Sequence, residues 1–260
     1  MTELKINKIF IVICYIFLIL ANKSLHSSEY TNDTYLAYVK TQNANINQIS
    51  KNGLISLKEI LSKRTAITPK GVVEININED NIYYFPFIYW PLTQDNENLA
   101  TTTKIKIKSY LSAGGMILFD VIKNKRSEIN ITQEELNRIK KYLAKLGIKS
   151  LIPLPKNHTL SRSFYLLKKF SGRWDTNIIF VEKSDLEYKD GVNSVILGFN
   201  NWASAWALDK NGYPFFPVVP GGEKQREISY RFGVNLSMYA LTGNYKSDQV
   251  HSKSILKRLK

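Results

Sequence analysis

The sequence predicts an α/β fold built on one doubly wound, mainly parallel sheet. Short apolar runs of β-forming residues alternate with longer segments whose apolar residues recur at helical spacing. One of these runs, Met116–Asp120 (MILFD), is apolar until it ends in an acid, the pattern of a parallel strand buried on both faces. The chain is also long enough: 260 residues, 44% hydrophobic and 22% charged, suit one domain with a substantial core and not a disordered chain.

The N-terminal residues are a different material. Lys5 and Lys8 precede Ile9–Ala21 (IFIVICYIFLILA), which is uncharged and almost wholly apolar. Its thirteen residues fall short of the roughly 20 of a membrane span and match the about 7–15 of a secretory h-region. Residues 1–21 therefore read as a signal peptide or an N-terminal membrane anchor. Cleavage after Ala21 would put Ile19, not a small residue, at −3, so the anchor stays open beside the signal peptide, with a buried helix as a third reading. The two lysines orient the segment so that the rest of the chain lies at the inner membrane or in the periplasm. Residues 22–32 are polar and read as a tether, leaving 33–260 as the folded domain.

Composition excludes several chemistries. The one Cys, Cys14, lies within the apolar segment, so the exported part has no thiol nucleophile, disulfide or cysteine zinc site. His26, His158 and His251 are too scattered for a His-rich metal centre, and no cofactor is expected. The formal net charge of +14 includes Arg138, Lys140, Lys141, Lys145 and Lys149 on one predicted helix, with a further basic cluster in 246–260. No stacking aromatics or nucleic-acid motif accompany them. They read as solvated helix faces beside an anionic inner-membrane surface. A small ligand or an envelope protein is the other expected partner.

Element by element, Thr34–Lys40 reads as a strand. Asn45–Arg64 follows as a helix with Ile46, Ile49, Leu54, Leu57 and Leu61 on one side. Ile82–Leu92 is aromatic enough to be buried, but Pro86 and Pro91 argue against an uninterrupted central strand. Thr103–Ala113 reads as a helix stopped by Gly114 and Gly115. Thr132 and Glu135 form a capping box, and Leu136, Ile139, Leu143 and Leu146 carry that helix to Gly147. Asn177–Glu182 and Ser194–Phe199 are strands, with Gly222–Leu241 a long helix closed by Gly243 and Ser252–Leu259 a short final one.

Several segments carry a resemblance: LAYVKT (36–41), FPFIYWPL (85–92), YLSAGGMILFD (110–120), HTLSRSFYLL (158–167), GRW (172–174), NNWASAWALD (200–209) and the long block from Pro217 to His251. Together they closely resemble the bacterial domain of unknown function numbered 4159, which often ends membrane proteins with a BatA-like N-terminal region. No stretch of these 260 residues reads as that region, so no role is expected from it. The resemblance further implies kinship with class I glutamine amidotransferases and hence a flavodoxin-like sheet. Such an enzyme needs a cysteine on a strand-to-helix elbow. The mature region has none, so glutaminase activity is not expected, and no GxSxG, Walker A or GxGxxG pattern replaces it.

The expected site lies at the sheet's carboxyl edge. Asp120 ends a buried strand, and His158 and Arg162 lie in a loop. Trp202 and Trp206 recur at i,i+4, and Gly221, Gly222, Glu223 and Arg226 open a helix. Each has a bland reading: helix cap for Asp120, hydrogen-bonded loop residue for His158, core for the tryptophans, and a first-turn ion pair for Glu223 with Arg226. The functional expectation is a non-catalytic module that contacts a ligand or partner through Asp120, His158, Arg162, Trp202, Glu223 and Arg226. A hydrolase in which Asp120, His158 and Glu223 supply acid and base is the second reading.

Overall fold

The computed structural model describes residues 30, 33–93, 99–123, 130–148, 150–176, 178–183 and 193–258, with side chains as far as residue 242. The N-terminal apolar segment and nearly all of the tether lie outside the described residues. Among those described, no helix is long and apolar enough to cross a membrane.

The chain runs β1 (Tyr35–Val39), α1 (Ala44–Arg64), β2 (Gly71–Ile75), β3 (Phe87–Leu92), α2 (Thr101–Ser112), β4 (Met116–Val121), α3 (Gln133–Lys145), β5 (Leu151–Pro153), β6 (Ile179–Glu182), β7 (Val195–Gly198), α4 (Trp202–Trp206) and α5 (Gly222–Arg258). The seven strands form one sheet in the order β2-β1-β3-β4-β7-β6-β5. From β2 to β7 in that order every pair is parallel, and β6 is antiparallel to both its neighbours. Helices cover both faces, so the central strands are apolar on both sides. The period of two sends Ala37, Ile88, Ile117 and Phe119 toward α2 and α3, and Leu36, Tyr89 and Leu118 toward α1, α4 and α5.

The caps follow the sequence. Asn43 accepts the N–H groups of Asn45 and Ile46 at the start of α1, and Thr132 accepts that of Glu135 at the start of α3.

Four features differ from the expectation. First, Phe87–Leu92 is a central strand despite Pro91. Leu92 O accepts from Ile122, so the even-numbered residues face β4 and Pro91 faces β1. Pairing with β1 ends at Tyr89, and the N–H that Pro91 lacks has no partner to lose. Second, the strand expected at Asn177–Glu182, of which Asn177 lies outside the described residues, is Ile179–Glu182 and enters the sheet antiparallel, as β6. Its burial alternates, as in a strand with one face covered, and an antiparallel strand beside a parallel set is common. Third, β2 and β5 are additional edge strands, short and only partly buried, so neither carries a strong apolar signal. Fourth, α5 runs unbroken through Gly243 and Ser252. A lone glycine costs a helix about 1 kcal/mol and does not by itself end it.

The α1/α4 contact is close enough to require glycine. A Cβ on Gly53, inside α1, would stand 2.5 Å from the carbonyl oxygen of Ala203. Alanine is the better helix former by about 1 kcal/mol, so propensity and packing oppose each other here. Gly53→Ala is expected to lower stability by about 1–3 kcal/mol, read as a lower urea midpoint at unchanged slope. An increase would show that α4 yields easily.

Candidate functional site

Asp120 is the penultimate residue of β4, and the strand's alternation turns its side chain to the α1/α4/α5 face. It is fully buried. Across the ladder it lies opposite Gly198, the last residue of β7. There the chain turns sharply through Asn200 and Asn201 into α4. Asn201 makes this turn at φ 51°, ψ 59°, the left-handed region that Asn tolerates better than most residues. The turn directs two backbone N–H groups at Asp120. Oδ1 accepts from Asn201 at 3.0 Å, and Oδ2 accepts from Trp202 at 2.7 Å. The Tyr89 hydroxyl, from β3, donates to Oδ2 at 2.8 Å. Asp120 thus caps α4 from another strand, its carboxylate set against the positive helix end.

Arg226, from the first turns of α5, holds the other end of α4. Its Nη1 donates to the Ala205 carbonyl at 2.7 Å and its Nη2 to Phe216 O at 2.7 Å. Arg226 is buried, and its Nε meets Glu223 at 3.3 Å, a carboxylate 81% exposed. Between these clamps the two α4 indoles are fully buried. Trp202 stacks on Phe232 at 4.5 Å and donates to Phe170 O, while Trp206 donates to Ser229 O. Burial pushes the Asp120 carboxyl up to about 7, against the downward pull of its hydrogen bonds.

His158 is elsewhere. Its Nδ1 accepts from Leu160 N–H, and its Nε2 lies 2.7 Å from Asn193 Oδ1. That pairing defines a neutral ring with the proton on Nε2, and burial keeps its pKa low. Asn193 precedes β7, whereas Asp120 adjoins the far end of that strand. Five residues of extended chain separate Asn193 from Gly198, about 16 Å at the usual rise. The expectation that His158 reaches the carboxyl edge is therefore corrected: the loop after β5 carries its ring toward the amino end of β7. No hydrogen bond links Asp120, His158 and Glu223, and the register keeps the first two beyond direct proton transfer.

The remaining expected residues divide by exposure. Arg162 is exposed and donates to Asn157 O. Gly221 N–H is taken by Gln225, whose own amide reaches the carbonyls of Gly172, Arg173 and Val219. The N–H of Gly221 is therefore occupied by the protein's own side chain.

Residues that the sequence reading passed over complete the elbow. Asn200 Oδ1 accepts from Thr176, and Asn201 Nδ2 donates to Lys123 O, but Asn200 Nδ2 and Asn201 Oδ1 are buried without partners. Arg173 lies alongside, its guanidinium between the rings of Trp174 and Phe216 at 4.8 and 4.7 Å, with Nε unpartnered. The available signal was the Asn200–Asn201 pair directly between a strand and a helix, since Asn is the residue other than Gly that takes left-handed turns.

Chemically, the strand–turn–helix elbow is the geometry that exposes a nucleophile in hydrolases and offers it N–H groups. Here the turn residue is an amide, and Asp120 occupies the N–H groups. In Asp120→Asn, an amide N–H would face at least one of those donors, leaving it unpaired at a cost of about 1–3 kcal/mol. The sign with pH follows from the raised folded-state pKa: Asp120 stabilises fully below about pH 4, its unfolded value, and loses that contribution as pH rises through about 7. At 1.36 kcal/mol per pH unit the loss is at most about 4 kcal/mol. Urea unfolding from pH 4 to 8 is expected to show the wild-type advantage over D120N shrinking across that window. A constant difference would refute the buried, protonatable Asp120.

The family description "Domain of unknown function (DUF4159)" matches residues 35–241, from β1 through the part of α5 that packs on the sheet. No curated protein matches the chain. Covering well over half of the sequence, the match shows that this chain belongs to the DUF4159 family.

Proposed function

We propose that the chain is an exported, non-catalytic binding module at the bacterial cell envelope, an amidotransferase-like domain that keeps the flavodoxin-like sheet without glutaminase chemistry. The strand order β2-β1-β3-β4-β7 supports the kinship, because the parallel strands follow the flavodoxin-like 2-1-3-4-5 pattern. The observation that carries the non-catalytic reading is Asp120 on the elbow: the N–H groups that would stabilise a substrate oxyanion already bind the protein's own carboxylate. Lys5, Lys8 and the Ile9–Ala21 run motivate the envelope location.

Under this reading Asp120, His158, Trp202 and Arg226 contribute by holding the binding surface in shape. Arg162 and Glu223, both exposed, are the polar groups of the expected set that meet a ligand or partner directly. Their neutral variants Arg162→Gln and Glu223→Gln are expected to leave stability within about 0.5 kcal/mol of wild type while impairing cellular function. His158→Gln and D120N are expected to lower both. Retained function in the exposed variants would remove them from the surface.

Purified protein is expected not to hydrolyse glutamine or simple esters. Turnover abolished by D120N and by H158Q at matched folding would establish the hydrolase reading instead. A C-terminal alkaline phosphatase fusion is expected to be active in cells, and a stable but inactive fusion would overturn export.

A further inference from the structure

Beyond β5 the chain makes a short 3-10 turn, Thr159–Ser161, and then runs without regular structure through 162–168. Along that stretch the side chains alternate. Arg162, Phe164, Leu166 and Lys168 point outward, whereas Ser163, Tyr165 and Leu167 are partly or fully buried. Leu166 is 80% exposed and Phe164 44%.

Slack does not explain this exposure, because the loop is pinned from beneath by one buried residue of α5. Asn235 accepts Tyr165 N–H at Oδ1 and donates through Nδ2 to Leu160 O and Tyr165 O, while its own carbonyl accepts the Ser163 hydroxyl. Arg231 braces the Tyr165 ring at 5.1 Å. A rigid support therefore holds two large apolar side chains in water, each next to a cation. Arg162 and Lys168 form no ion pair among the described residues.

The loop itself carries only cations: Arg162, Lys168 and Lys169 lie within an acid-free stretch from Leu136 to Trp174. The acids on adjoining segments are already paired, Glu227 with Arg64 and Arg231, and Asp175 with Lys169. Cations beside protruding aromatic and aliphatic side chains are the complement of an anionic lipid surface, where chains insert among headgroups and basic residues meet phosphates. The two cations left unpaired, Arg162 and Lys168, are the ones that flank Phe164 and Leu166.

We propose that the 162–168 loop docks the domain on an anionic membrane, with Phe164 and Leu166 entering the headgroup layer and Arg162 and Lys168 contacting lipid phosphates. The inference rests on the envelope reading and gives it a surface. It assigns Arg162 a partner and places the β5 end of the sheet against the bilayer.

The test uses the full chain reconstituted in vesicles, with Leu166→Trp as the reporter and Tyr213→Trp, an exposed position on another loop, as the control. In vesicles containing phosphatidylglycerol, emission from the indole introduced by Leu166→Trp is expected to shift to the blue and to be quenched by brominated acyl chains, relative to the Leu166 parent. Neutral phosphatidylcholine vesicles and about 1 M salt, which shortens screening to about 3 Å, are expected to abolish both effects. Adding Arg162→Gln and Lys168→Gln is expected to reduce the docked-to-free ratio about five-fold per cation removed. The control position is expected not to respond. Three results would overturn docking: no shift while the chain remains vesicle-bound, equal quenching in neutral vesicles, or a shift that needs only higher protein concentration, which marks a protein interface. An active phosphatase fusion together with any of these would leave the envelope reading standing.

Discussion

A five-residue helix clamped at both ends by opposite charges organises one face of this sheet. The Asp120 carboxylate takes the N–H groups at the start of α4, and the Arg226 guanidinium takes a carbonyl near its end, so the helix dipole is matched at both poles. Alone, so short a helix would not form in water. Clamped, it fixes two buried indoles, brings its backbone onto Gly53 of α1, and ties β4, β7 and α5 into one unit. Neither charge is exposed, and removing either partner would leave buried polar groups unmatched, which ordinarily costs several kcal/mol.

The same clamp explains why the sequence points to Asp120 as a site. An acid at the end of an apolar run announces a buried carboxylate at the sheet's carboxyl edge, and that much is correct. What receives it depends on the pairing of β4 with β7, whose turn lies some eighty residues further along. Local pattern carries no trace of that pairing. His158 illustrates the same limit, because its direction is set by Asn193, a residue without a distinctive signature. The strands from MILFD and TYLAYVK were legible because burial on both faces demands continuous apolar residues. β2 and β5 were not, because edge strands satisfy only half of that demand.

Polar residues in this domain thus fall into two populations. One is internal: Asp120, Arg226, Gln225 and Asn235 each bind several backbone groups and join segments distant in sequence. The other faces outward on surfaces that the first group holds rigid. Residue type does not separate them, since an arginine occurs in each, at 226 and at 162. Partner count does: the internal residues are saturated by the protein itself, and only the external ones retain capacity for anything else. The orphaned amide atoms of Asn200 and Asn201, at the turn into α4, lie between these populations.

Pro91 bears on the opposite flank of the sheet. Its missing amide hydrogen faces β1, and the ladder between β1 and β3 stops two residues earlier, at Tyr89. These strands flank the point where the winding reverses, β2 being added to one side and β4 to the other. The end of β1 is turned aside as well, because Asn47 takes both the N–H and the carbonyl of Thr41. With neither strand continuing the ladder, a crevice lined by Val39, Thr41 and Trp90 lies between them. Open sheets of this class receive their ligands in such crevices, and here an imino acid on one strand and a side-chain amide beside the other hold the gap between them.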